Sequence, residues 1–176
     1  HIVSDDRTFR YVLYRTPGVE LSITQNDVRA IQLAKAALRA GIDLLMGYAG
    51  VDALGDMRLA GAFGAHIDPL YALVLGLVPD APVAAVRSVG NAAGAGAVRA
   101  LLSMQARTEL EAAARAVVKI ETATEPQFQE LFVAAMAFPH ATAPSPHLGA
   151  VITLPERTSS VDAAGGRRRR RQENRS

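Results

Sequence analysis

Two glycine-rich junctions constrain this chain more than any other feature. Leu59-Ala-Gly-Ala-Phe-Gly64 and Val89-Gly-Asn-Ala-Ala-Gly-Ala-Gly96 each follow a short apolar run and each precede a helix-compatible segment. Glycine and alanine at a strand-to-helix junction leave the backbone open to close approach, by a neighbouring element or by a ligand. Residue types and spacing alone leave both readings standing: tight helix–strand packing, or the cradle of a nucleotide. The first junction lacks the Gly-Lys-Ser/Thr of a P-loop, and neither matches GxGxxG. The second, with its run of small residues, reads chiefly as packing, since each helical glycine costs about 1 kcal/mol relative to alanine.

The flanking sequence predicts an α/β domain. Phe9–Tyr14 and Val19–Ile23 read as strands, and Thr24 with Asp27 three residues on reads as a capping box opening a helix over 25–49. Met57–Ala60 is predicted as a strand, Asp68-Pro69 as the start of a helix ending near Gly76, and Val86–Val89 as a further strand. Asn91 is expected to cap a helix to about Met104. Helices are also expected over 108–117 and 125–138, with an extended piece over 117–121 between them. Beyond Pro139 the prolines predict loop, with a short extended piece at 151–154.

Composition excludes several chemistries. Without cysteine the chain offers no disulfide, thiolate metal site or cysteine nucleophile, which also fits a reducing, cytoplasmic setting. Residues 164–176 hold six arginines and one glutamate, so residues 1–163, with 13 basic and 16 acidic residues, carry net −3. The folded body is therefore mildly acidic and does not read as a specific nucleic-acid surface. The basic pI belongs to 156–176, expected to be a disordered, solvated tail. No apolar run reaches the roughly 18 residues of a membrane span, and the start at His1 reads as that of an internal or C-terminal piece of a longer protein.

Single residues that invite a functional role have simpler accounts. Asp68 beside the first junction is explained as a helix cap before proline and not as a magnesium ligand. His66, His140 and His147 are too scattered for a predicted metal site. Glu109, Glu111, Glu121, Glu125 and Glu130 read as solvated charge.

Taken in order, Thr24–Lys35, Leu59–Gly64, Ile67-Asp-Pro69, Leu75–Pro79 and Gly90–Gly94 resemble one family: the ATP-dependent reductive activators of corrinoid proteins (RACo-like). The similarity covers roughly residues 8 to 155. It falls in the later part of the C-terminal ATPase domain, of the acetate/sugar kinase–Hsp70–actin (ASKHA) superfamily. The resemblance implies an α/β fold with a small mixed sheet and packed helices over 1–155, one half of an actin-like, ribonuclease H-like ATPase domain. It implies ATP with magnesium shared with an upstream region, and a [2Fe–2S] cluster held by a missing N-terminal domain. Electrons would pass from that cluster to an inactive cobalt(II) corrinoid protein of a methyltransferase system. By the same resemblance Gly61, Ala62, Phe63 and Gly64 form the adenosine-binding turn, and Gly90 and Asn91 belong to the later connecting segment. Gln32 and Lys35, three apart on the long helix, are placed to touch adenine or ribose, or else to form an ordinary solvated face. No catalytic or metal-binding residue is assigned to this chain, and it is expected to be inactive alone. Two alternatives stand beside this reading. One is an activator of another radical or dehydratase enzyme in the same superfamily, and the other a non-enzymatic fragment that dimerises through its small-residue faces.

Overall fold

A computed structural model describes residues 1–5 and 8–155. The expected basic tail, 156–176, lies outside the described residues. The chain opens with an antiparallel meander: β1 (Ile2–Asp5), β2 (Thr8–Thr16) and β3 (Val19–Thr24), in that order across the sheet. Glycine at position 18, with φ +90°, turns the chain between β2 and β3.

Helix α1 (Gln25–Ala49) begins and ends where its caps dictate. The Thr24 hydroxyl accepts from the Asp27 N–H at 3.2 Å, and the Asp27 carboxylate accepts from the Thr24 N–H at 2.8 Å. Gly50, at φ 64°, closes the other end in the left-handed conformation. The buried face of α1 is unusual in mixing Ala36, Ala40 and Leu44 with Lys35 and Arg39.

Strand β4 (Met57–Ala60) leads into α2 (Gly61–His66), and α3 (Pro69–Leu75) follows. The Asp68 carboxylate accepts from Leu70 N–H at 2.8 Å and Tyr71 N–H at 3.3 Å, the cap expected of an Asp-Pro start. A single 3-10 turn over Val83–Ala85 then feeds β5 (Val86–Gly90), which lies parallel to β4 as a separate two-stranded sheet. The small mixed sheet is thus realised as two sheets, one antiparallel and one parallel.

Helices α4 (Ala92–Leu102) and α5 (Met104–Ala116) meet at Ser103, which caps both, so the helix expected to begin at 108 begins four residues earlier. Residues 117–121, expected as an extended piece, form coil without strand pairing, with Val117 and Glu121 in extended conformation. The amphipathic stretch expected over 125–138 forms α6 (Phe128–Ala135), packed along α1. Within the segment expected to be loop lies α7 (Pro146–Gly149), and 151–154 form a turn and coil instead of a strand because the Ile152 N–H bonds back to the Leu148 carbonyl. The principal core gathers Met57 and Val86 from the parallel pair, Ala72 and Leu73 from α3, Leu77, Val78 and Ala81 beyond it, and Leu148 from α7. Burying Leu148, 1% exposed, contributes about 1.5–3 kcal/mol and explains why a four-residue helix docks at all.

Candidate functional site

The parallel pairing brings the two glycine junctions together. Met57 pairs with Val86, Arg58 with Arg87 and Leu59 with Ser88, but Ala60 pairs with Gly90. Val89 is a surplus residue in β5, and this bulge draws Gly90 level with the end of β4. Gly90 thus stands opposite Ala60, one residue before Gly61, at the carboxyl ends of the parallel strands, the edge where open α/β sheets bind ligands. Gly61 and Gly90 both hold positive φ, +84° and +61°, and a Cβ added at either would meet nothing within 4 Å. Neither glycine is demanded by packing. At the opposite end of the pair, Asp56 bonds both Arg87 and Arg58; these bonds, Arg87 first, hold its carboxyl below the usual range and staple the strands.

Within the first junction the residues divide. What reads from sequence as a turn is the helix α2 itself, with Ala60 in the cap position and no side chain capping its first N–H groups. Ala62 and Phe63 are exposed, Phe63 at 68%. Gly64 is buried, and a Cβ there would lie 2.6 Å from the Leu59 carbonyl carbon, so this glycine serves close packing. On the flank of β4 a cavity of about 420 Å³ is bounded by Phe63, Gly64, Leu59 and Arg58, with Leu38 and Ile42 of α1 opposite. In the second junction Asn91 caps α4, its side-chain oxygen accepting from the Gly94 N–H at 2.9 Å.

Gln32 and Lys35 share a face of α1, as their spacing implies, and both bond the segment that follows α6. Gln32 Nε2 donates to the Met136 carbonyl at 3.1 Å, and Lys35 Nζ donates to those of Ala137 at 2.5 Å and Pro139 at 2.7 Å. The ammonium also sits 5.2 Å from the Phe138 ring centroid. Lys35 is 1% exposed; burial, then the nearby Arg39 cation, pushes its pKa down to about 8, with Asp43 opposing. One turn on, Arg39 pairs with Asp43 at 2.8 Å and donates to the Val78 carbonyl at 3.1 Å. Three side chains of one stripe thus hold two loops to α1 through their backbone oxygens. Gln32 and the Phe138–Pro139 segment line a second cavity of about 1130 Å³, closed on its other side by Val74 and Leu75.

Sequence reasoning missed two further anchors. The Asp80 carboxylate accepts from the N–H groups of His147 and Leu148 at 2.9 and 3.0 Å and meets His147 Nδ1 at 2.9 Å, fixing the start of α7. The Tyr48 hydroxyl donates to Glu125 at 2.7 Å, tying the end of α1 to the approach to α6. No local signal marks either pair; for Lys35 and Arg39 the signal was present, two cations spaced among alanines on the inner stripe. His140 Nδ1 accepts from the Ala143 N–H at 3.0 Å, and His66 is exposed, so the histidines lie in separate settings. Among the described residues no three His, Cys, Asp or Glu side chains come together as a metal site.

The family described as the C-terminal domain of RACo, the ASKHA domain, matches residues 1–149, spanning both junctions, the stripe of α1 and α6. The chain belongs to that family. Among relatives of the RACo C-terminal domain, the "Corrinoid activation enzyme RamQ" of Eubacterium limosum is 44% identical over 119 residues, 66% of this chain and 20% of that protein. A solved structure titled "Reductive activator for corrinoid,iron-sulfur protein" superposes with a TM-score of 0.67 at 28% identity, covering 79% of this chain and 23% of the other. The chain thus spans about a fifth of the length of these relatives.

Proposed function

We propose that this RACo-type ASKHA domain belongs to a protein that uses ATP to drive reductive activation of a corrinoid protein, and that the paired junctions are its adenosine contact. The names of its relatives support the activity, and one geometric observation carries the site: Ala60 pairs with Gly90, so two positive-φ glycines with open space above them lie together at the strand ends. In this reading the backbone of Gly61 and Ala62 approaches the nucleoside, Phe63 offers an exposed ring beside it, and Gly90 with Asn91 forms the second wall. Gly64 acts indirectly, by letting α2 lie against Leu59. Gln32 and Lys35 act through the 136–139 segment they hold.

ATP, when bound, supplies the free energy for an otherwise unfavourable electron transfer. The absence of side chain at Gly61 and Gly90 fits a nucleoside lying on the backbone. The described residues do not fit a magnesium site, and the cysteine-free sequence does not fit an iron–sulfur cluster. The cluster is therefore assigned to a part of the protein that this chain does not span, magnesium with ATP would be shared with such a part, and the partner would be a corrinoid protein of a methyltransferase system. A cytoplasmic setting accompanies this reading; among the described residues no helix is long and apolar enough to cross a membrane.

The test is titration of the intact protein with a non-hydrolysable ATP analogue, comparing wild type, Gly61→Ala and Gly18→Ala. Both glycines hold positive φ in open space, so the two substitutions strain the backbone alike, but only Gly61 lies at the junction. Gly61→Ala is expected to weaken binding at least roughly tenfold, about 1.4 kcal/mol, with Gly18→Ala unchanged. Equal affinities in all three proteins would overturn the assignment.

A further inference from the structure

The β1–β2–β3 meander carries its charge on one face and its large apolar side chains on the other. Directly opposed residues of an antiparallel pair share a face, and alternate residues along a strand return to it. Across the three strands Ile2 stands opposite Tyr11, and Tyr11 opposite Ile23; Phe9 lies two residues before Tyr11, and Tyr14 opposite Leu21. This face contains no charged residue among these positions. The other face holds Val12, buried at 8%, with Arg10, Arg15 and Glu20, and both arginines ion-pair with Glu20.

The uncharged face is the more exposed of the two, although the Arg15 side chain at the far end of the other face is also 60% exposed. Ile2 is 72% exposed, Phe9 60%, Leu21 55% and Tyr11 47%. An antiparallel sheet with one wet face places polar side chains there, so this arrangement is reversed. A contiguous aromatic and aliphatic surface of this kind marks an interface. Depletion of charge, with tyrosines whose hydroxyls can still find partners, suits a permanent apolar contact better than a transient one with a polar surface.

We propose that this face is covered in the intact protein by a layer of the same polypeptide, an uncharged apolar helix or sheet surface from the part this chain does not span. The relatives supply the argument for that occupant over a second copy. The matched region is only 20% and 23% of their lengths, so a large body of covalently attached chain is at hand. Attachment presents such a layer at high effective concentration. The inference rests on family membership and on the sheet, not on the nucleotide reading.

The test places the photocrosslinking residue p-benzoylphenylalanine at Phe9 and, in a second protein, at Leu21, in the intact protein. A benzophenone is close to phenylalanine in shape, and two positions guard against a local folding defect at either. Irradiation is expected to give crosslinks at monomer mass to residues of the same polypeptide outside 1–176; adducts confined to 1–176 would overturn the proposal in favour of a cover from within this domain. Adducts at dimer mass would overturn the proposal in favour of a second copy. A lack of protein adducts at both positions would overturn it in favour of a solvent-facing sheet. None of these outcomes touches the ATP titration, so the two proposals fail separately.

Discussion

Lys35 Nζ lies 2.7 Å from the carbonyl oxygen of Pro139, a hydrogen bond that closes more than a hundred residues of chain. Its partner bond to Ala137 makes this buried amine the join between α1 and the segment after α6. Lys35→Met would orphan two backbone oxygens, at a cost of about 1–3 kcal/mol near neutral pH. The pH dependence has a definite sign. Burial, the leading cause, lowers the folded pKa to about 8, against about 10.4 in an unfolded chain. Between those values the unfolded state binds a proton that the folded state has released, so the group's contribution to stability rises with pH. The neutral amine keeps two N–H donors for its two carbonyls. Denaturant midpoints of the intact protein should therefore show the deficit of Lys35→Met widening between about pH 8 and 10; a constant deficit would mean an unshifted lysine.

Gly64 and Gly96 make a contrasting pair. A methyl group at Gly64 would meet the Leu59 carbonyl carbon and oxygen at 2.6 and 2.8 Å, backbone that has nowhere to go, whereas at Gly96 in α4 it would meet nothing within 4 Å. Gly64→Ala should destabilise by about 1–3 kcal/mol, and Gly96→Ala should stabilise by about 0.5–1 kcal/mol. Thermal unfolding of the two variants side by side decides it, and similar shifts would contradict the packing described for α2.

Asp80 holds α7 by two backbone bonds and a third to the His147 ring. Asp80→Ala should loosen 145–149, leaving the burial of Leu148 as the contact that holds α7. Hydrogen exchange in peptides covering 144–152 should accelerate, while α1 peptides keep their protection. If both regions loosen together, Asp80 supports the whole core instead of one helix.

Asp27 completes the cap of α1, and the Thr24 N–H, followed by its hydroxyl, holds the carboxyl below its usual range. A depressed carboxylate contributes stability above its unfolded pKa and loses it as pH falls through the folded value. The unfolding midpoint of Asp27→Asn should therefore trail wild type at pH 7 and converge with it below about pH 4. Parallel curves would show that the charge is not what caps the helix.

Elements with local punctuation were legible in the sequence. Helix α1 announced itself through Thr24, Asp27 and Gly50, and α3 through Asp68-Pro69 and Gly76, because each signal satisfies a backbone group within a few residues. What escaped depends on distant partners. Strand β1 exists by pairing with β2, and α7 starts where Asp80, 67 residues away, accepts its N–H groups. Six residues containing two glycines carry little helix propensity, so α2 read as a turn; its helicity comes from lying against β4 and β5. The candidate site was half legible: composition marked both junctions, but not that β4 and β5 pair in parallel, with a bulge that sets Gly90 opposite Ala60. Gln32 and Lys35 stood out by type and spacing, while the carbonyls they bind belong to a segment that no local rule connects to α1.

Val89, the surplus residue of β5, sets the phase of the two junctions. An unbroken ladder would set Gly90 opposite Gly61, one step beyond the end of β4, and the bulge takes that step back. Deleting Val89 would therefore remove the bulge and leave Gly90 opposite Ala60, whereas an inserted residue between Ser88 and Gly90 would have to be absorbed by a wider bulge or carry Gly90 past the end of β4.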